Sequence, residues 1–146
     1  LEAAEIARLR QTLPHNADHT FTHSFSEVFQ KVLEGRAAMI RGDWPAAIQA
    51  YGRAAAIQGE GEEGGDPPII WFPTRRSLAA AMPASGDAAG ARDKVLELLE
   101  DWPSDPYSYF VLAEAYDALG NAAAADAARA AGSVEWIGGT MSLGLA

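Results

Sequence analysis

The sequence predicts an all-α fold assembled from consecutive helical hairpins. Three observations lead there: one spacing of small and large residues occurs three times, a glycine stands in the middle of each occurrence, and the apolar positions follow helical periodicity.

In the recurring spacing a small residue is followed seven positions later by glycine, then by a small residue, a larger one and a final one at intervals of five, four and three. The first copy is Gly35, Gly42, Ala47, Tyr51 and Ala54; the second is Ala79, Gly86, Ala91, Val95 and Leu98. The third is Ala113, Gly120, Ala125, Arg129 and Gly132, in which Arg129 and Gly132 stand where apolar residues or alanine are expected. Terminal repeats face solvent on one side, which accommodates an arginine there. Small residues let the two helices of a hairpin approach, the glycine turns the chain, and the larger residues fill the space to the next hairpin. Copies two and three are offset by 34 residues and copies one and two by 44. The additional stretch is Gly59 to Pro68, which is rich in glycine and acid, and predicts a loop.

The elements follow in order. Leu1 to Leu13 predicts a leading amphipathic helix with Ile6, Leu9 and Leu13 on one side, ended by Pro14. Helices are expected over Ser24 to Ile40, where Ser24 and Glu27 form a capping box, and over Trp44 to Gln58, with Pro45 in the first turn. Pro73 to Met82 should be cut short by Pro83. Ala88 to Asp101, Pro106 to Leu119 and Ala122 to Ile137 complete the set. As one domain, 1–146, the chain divides into a leading helix 1–13, repeat one 24–58, an acidic loop 59–70, repeat two 71–104, repeat three 105–137 and an apolar tail 138–146. The period leaves Pro14 to His23 unexplained.

Leu78-Ala79, Leu112-Ala113 with Tyr116, and Gly42-Asp43-Trp44-Pro45-Ala46-Ala47-Ile48 with Tyr51 resemble the signature of the tetratricopeptide repeat family over about Ser24 to Ile137. Pro67 to Leu78, a proline-aromatic run before an arginine-bearing helix, is similar to a segment of bacterial multi-repeat members. The resemblance implies a right-handed α-α superhelix of about three hairpins plus the leading helix. It also implies a scaffold that binds a peptide or partner helix on a concave face lined by the first helix of each hairpin. Carried onto this sequence, that face holds Phe29, Val32, Arg36, Met39, Arg76, Ala80, Tyr107, Phe110, Glu114 and Asp117. Apolar bodies beside arginines suit a segment bearing a carboxylate, since guanidinium pairs bidentately. Family members that clamp chaperone C-terminal carboxylates place lysine and asparagine where Val32, Arg36 and Phe110 stand here, which argues against that partner class. The plainer alternative makes Phe29, Val32 and Phe110 core and leaves the arginines solvated.

Composition narrows the functions. A formal charge of −9 opposes a phosphate backbone, so no nucleic-acid partner is expected, and no apolar run is long enough for a membrane helix. There is no cysteine, which removes disulfides and thiolate chemistry. No nucleophile elbow, phosphate-binding glycine loop or zinc-protease helix occurs, so the expectation is a non-catalytic module without a cofactor. His15, His19 and His23 would form one ridge if helical, and a metal-binding helical domain through them is the alternative. A second alternative is a regulatory segment of a larger enzyme. Glu60, Glu62, Glu63 and Asp66 lack the spacing of a calcium loop and read as a solvated acidic segment.

Trp71 and Phe72 are expected to anchor the long loop, with ligand stacking as the sharper alternative. The tail carries Met141, Leu143 and Leu145 beyond Trp136 and Ile137, and should cover the last hairpin, a second copy in a homodimer, or a further domain. The chain opens within a helical pattern, so it reads as a fragment of a longer one, with the compartment open and the cytoplasm as default.

Overall fold

The computed structural model describes residues 2–16, 19–61 and 70–136. Seven α-helices and one 3-10 turn account for the regular structure among them, and no strand occurs there. The helices are α1 Glu2–Thr12, α2 Thr20–Ile40, α3 Trp44–Gly61, α4 Thr74–Ala81, α5 Ala88–Asp101, α6 Pro106–Ala118 and α7 Ala122–Glu135, with the 3-10 turn at Pro83–Ser85. None of the described helices is long and apolar enough to cross a membrane.

The same turn is built three times. After α2, the Gly42 N–H donates to Met39 O and the Asp43 N–H reaches back to Ala38 O, each at 2.9 Å. That pair of bonds satisfies the last carbonyls of the helix and needs a left-handed residue, which Gly42 supplies at φ +71°. Asp43 then turns its carboxylate onto the Ala46 N–H at 3.2 Å and caps α3. Gly86 and Asp87 repeat both halves before α5, as do Gly120 and Asn121 before α7. A glycine-Asx pair therefore closes one helical segment, the 3-10 turn in the second copy, and starts the next helix after only a short connection.

Contacts then run symmetrically outward from each turn, as antiparallel helices require. Across α2 and α3 the Tyr51 ring lies on Gly35, and Arg53 pairs with Glu27 at 2.8 Å. Across α4 and α5, Arg75 meets Asp101 at 2.6 Å while Ala79 and Val95 share one core cluster. Across α6 and α7, Asp117 pairs with Arg129 beside the turn, and Tyr107 meets Trp136 at the far end.

The chain divides into two compact units, residues 1–74 and 75–146. In the first, α1 is tied to α2 by Arg10, which reaches Glu27 at 2.6 Å and Gln30 at 2.9 Å. Val28, Ala54, Ile57 and Ile70 form its core, with Phe25, Val32 and Phe72 packed around them. In the second unit Ala79, Val95, Val111, Leu112, Ala113, Ala125 and Ala128 form one small-residue core. The repeat positions Ala47, Ala91 and Ala125 are wholly enclosed, as alanines at close helix approaches should be.

Several expectations need correction. The second helix does not begin at Ser24: it begins at Thr20, and the expected capping box is absent because Glu27 is drawn into ion pairs with Arg10 and Arg53. The third helix continues past Gln58 to Gly61, so the first residues of the expected loop are helical. Glu62, Glu63 and Asp66 lie outside the described residues, as do Ile137 and the tail, Met141, Leu143 and Leu145 included. Leu9, expected on the packed side of α1, is 49% exposed. Pro83 does end α4 early, at Ala81, and opens the 3-10 turn.

Candidate partner-binding surfaces

On α2, Phe21, Phe25 and Phe29 recur every four residues and so share a face. Their rings follow one another at centroid distances of 5.6 and 4.9 Å. The row runs from the core to solvent: Phe25 packs against the first unit's core, whereas Phe21 is 57% exposed. Further along, Phe29 and Met39 are half-buried and Arg36 is exposed. Burial pushes the Tyr51 phenol above its ordinary range, and the positive charge of Arg36 opposes that shift. Arg36 makes no ion pair among the described residues.

The residues carried onto the second unit are engaged internally. Arg76 gives two bonds from Nη1 to the Asp105 carboxylate, at 2.7 and 2.9 Å, and its guanidinium lies 5.0 Å from the centre of the Tyr107 ring. Among the described residues its Nε is buried without a partner, so this arginine carries a desolvation cost that the ion pair and the ring offset. Asp105 in turn caps α6 through the Ser108 N–H at 3.1 Å and takes the Ser108 hydroxyl as well. Tyr107 meets the Trp136 ring edge-on at 5.7 Å, which places Trp136 against the last hairpin. Phe110 lies against Gly132, and Asp117 pairs with Arg129. Glu114 is exposed by surface area, yet the protein around its carboxyl pushes its pKa up by desolvation, with Arg129 opposing and Asp117 adding to the shift.

The three histidines do not form one ridge. His15 precedes α2, His19 is its N-cap without a side-chain cap bond, and His23 lies in its first turns. The chain reversal instead brings the His15 and His23 rings to 4.4 Å, with His23 Nε2 3.2 Å from Pro14 O. Among the described residues no group of three or more histidine, aspartate or glutamate side chains is arranged to hold a metal ion.

Sequence reasoning missed the residue that fixes the segment entering α4. Gln58 is buried, and its amide donates to Phe72 O at 3.0 Å while its oxygen accepts from the Thr74 N–H and hydroxyl at 2.7 and 2.6 Å. Phe72 does pack on the core, but Trp71, expected to anchor alongside it, is 79% exposed and touches only the Phe72 ring edge among the described aromatic pairs. A glutamine that follows an apolar run and stands two residues before an acidic stretch was the available signal. The Phe21, Phe25 and Phe29 row was likewise legible as aromatics at helical spacing.

No protein-family model matches the chain, and neither do the curated proteins or the solved structures with which it was compared.

Proposed function

We propose that this chain is a non-catalytic protein-interaction scaffold of tetratricopeptide-like type, which takes a peptide or a partner helix along the first helix of its hairpins. One observation carries the reading: α2 presents a graded apolar row, from exposed Phe21 through Phe25 and Phe29, on a helix that also bears Arg36, whose guanidinium makes no ion pair among the described residues. Aromatic rings supply area for apolar side chains of a ligand, and a free guanidinium supplies a bidentate partner for a carboxylate. The thrice-repeated glycine-Asx turn supports the repeat character. In the second unit Arg76 already faces a carboxylate of its own chain, so the row on α2 is the better-prepared surface.

Panning a peptide-display library against the full chain tests this. The selected peptides should carry an apolar residue near an acid, and Phe21→Ser and Arg36→Glu should each weaken binding about tenfold or more, close to 1.4 kcal/mol, with helical content unchanged. Peptides that bind equally well to both variants would overturn the assignment to α2.

A further inference from the structure

The opposite side of α2 lines a second surface, independent of the one just proposed. At about 100° per residue, Lys31, Glu34, Ala38 and Arg41 point away from Phe29 and Arg36. With Ala46, Ala50 and Arg53 of α3 and Ala3 at the start of α1, they enclose an open groove of about 520 Å³ within the first unit. That volume falls in the range of ligand-sized clefts.

The floor is alanine, so a ligand backbone can come close, and the rim is charged. Lys31, Arg41 and Arg53 face one carboxylate, Glu34, in a chain whose formal charge is −9. Lys31 is paired with Glu34 at 2.7 Å and Arg53 with Glu27 at 2.8 Å, whereas Arg41 makes no ion pair among the described residues. The local excess of positive charge stands against the overall sign of the molecule, so it focuses attraction for acid onto this groove. Its cations are also spread out. Ten residues of helix set Lys31 and Arg41 about 15 Å apart, too far to converge on one phosphate but matched to carboxylates four or five residues apart on an extended chain.

We propose that this alanine-floored groove binds an acidic peptide segment of a partner protein, with Arg41 taking one carboxylate and the Lys31 and Arg53 end another. The backbone of the segment lies on Ala37, Ala38, Ala46 and Ala50.

The test is fluorescence anisotropy of a labelled oligoglutamate peptide with the full chain in about 50 mM salt, where screening is moderate. Binding should saturate, fall about tenfold or more with Arg41→Glu, and fall similarly with Ala37→Trp, which fills the groove from an exposed position. Lys94→Glu makes the same charge change at an exposed position of α5, outside both proposed surfaces, and should leave oligoglutamate binding within about twofold. Circular dichroism melting confirms that each variant is folded. Equal loss with Lys94→Glu would show a diffuse charge effect, and displacement by tripolyphosphate at or below the peptide's own concentration would show a phosphate site. Either result, or no saturation, would overturn the proposal. Because the two surfaces share no residue, failure here leaves the reading of α2's aromatic row standing, and the reverse also holds.

Discussion

Hairpins α2–α3 and α6–α7 share one turn and solve the same packing problem in opposite directions. In the first, the bulk is on the second helix: Tyr51, only 2% exposed, lays its ring on Gly35 of the first. In the second, the bulk is on the first helix: Tyr109 and Phe110 lie against Gly132 of α7. Each hairpin pairs a large ring with a glycine, but the two glycines occupy different places in the repeated spacing. The irregular third copy, with Gly132 where Leu98 stands in the second, is therefore a swapped pairing and not a degraded one. A repeat can keep its turn chemistry while exchanging which helix fills the gap, because close packing constrains the sum of the facing volumes more tightly than it constrains either residue.

The largest effect should come from removing the first hairpin's ring. Tyr51→Ala takes out an almost wholly enclosed aromatic and should cost about 3–5 kcal/mol, whereas Phe110→Ala, at a half-buried position, should cost about half as much. Urea denaturation followed by far-ultraviolet circular dichroism measures both. Equal losses would break the comparison, since they would mean that the two rings contribute alike despite their different enclosure.

Filling the glycines sharpens it. A methyl at Gly35 would stand 2.8 to 2.9 Å from three carbons of the Tyr51 ring, which is held on all sides. Overpacking of this kind costs about 1–3 kcal/mol and exceeds the gain of about 1 kcal/mol from replacing glycine by alanine in a helix. Gly35→Ala should thus destabilise, and combining it with Tyr51→Leu should cost less than the two losses added together. At Gly132 the methyl would lie 3.0 to 3.1 Å from Tyr109 Cβ, Phe110 Cε2 and Pro106 O, so shifts of a few tenths of an ångström relieve it. Gly132→Ala should stay within about 1 kcal/mol of the parent. A larger loss at Gly132 than at Gly35 would reverse the assignment of which interface is tighter.

What could be read from the sequence was what neighbours in the chain decide. Helix α5 runs over Ala88–Asp101 as its residues predict, because Gly86 and Asp87 mark its start within two positions. The start of α2 was not legible, since Ser24 and Glu27 spell a cap locally while Arg10 and Arg53, distant in sequence, claim the Glu27 carboxylate. Surfaces suffered in the same way. Arg76 reads as a free groove arginine until Asp105, the N-cap of a different helix, is brought to it. Turn chemistry is encoded over a few residues, whereas the partner of a charge is chosen by tertiary contact.

The smallest expected effect separates the two units by the sign of their response to acid. In the first unit the bond from Arg53 holds the Glu27 carboxyl below its usual range, opposed by burial and helped by Arg10. A carboxyl lowered on folding binds fewer protons folded than unfolded, so its contribution is complete above the ordinary value of about 4.3 and disappears as pH falls through its folded value. In the second unit desolvation raises Glu114, so its contribution is present in acid and is lost as pH rises through its folded value, leaving the ionised form a small net cost near neutrality. Glu27→Gln should therefore lower the melting temperature at pH 7 by several degrees, with about 1–2 kcal/mol lost from a carboxylate shared by two arginines. Glu114→Gln should raise it by about a degree, the group being largely at the surface. Melting followed by circular dichroism from pH 7 down to about 3 should show both differences shrinking toward zero, from opposite sides. If the two variants shift in the same direction at pH 7, one carboxyl has been given the wrong environment. A rise with Glu114→Ala but not with Glu114→Gln would point to the side chain's bulk and not to its charge.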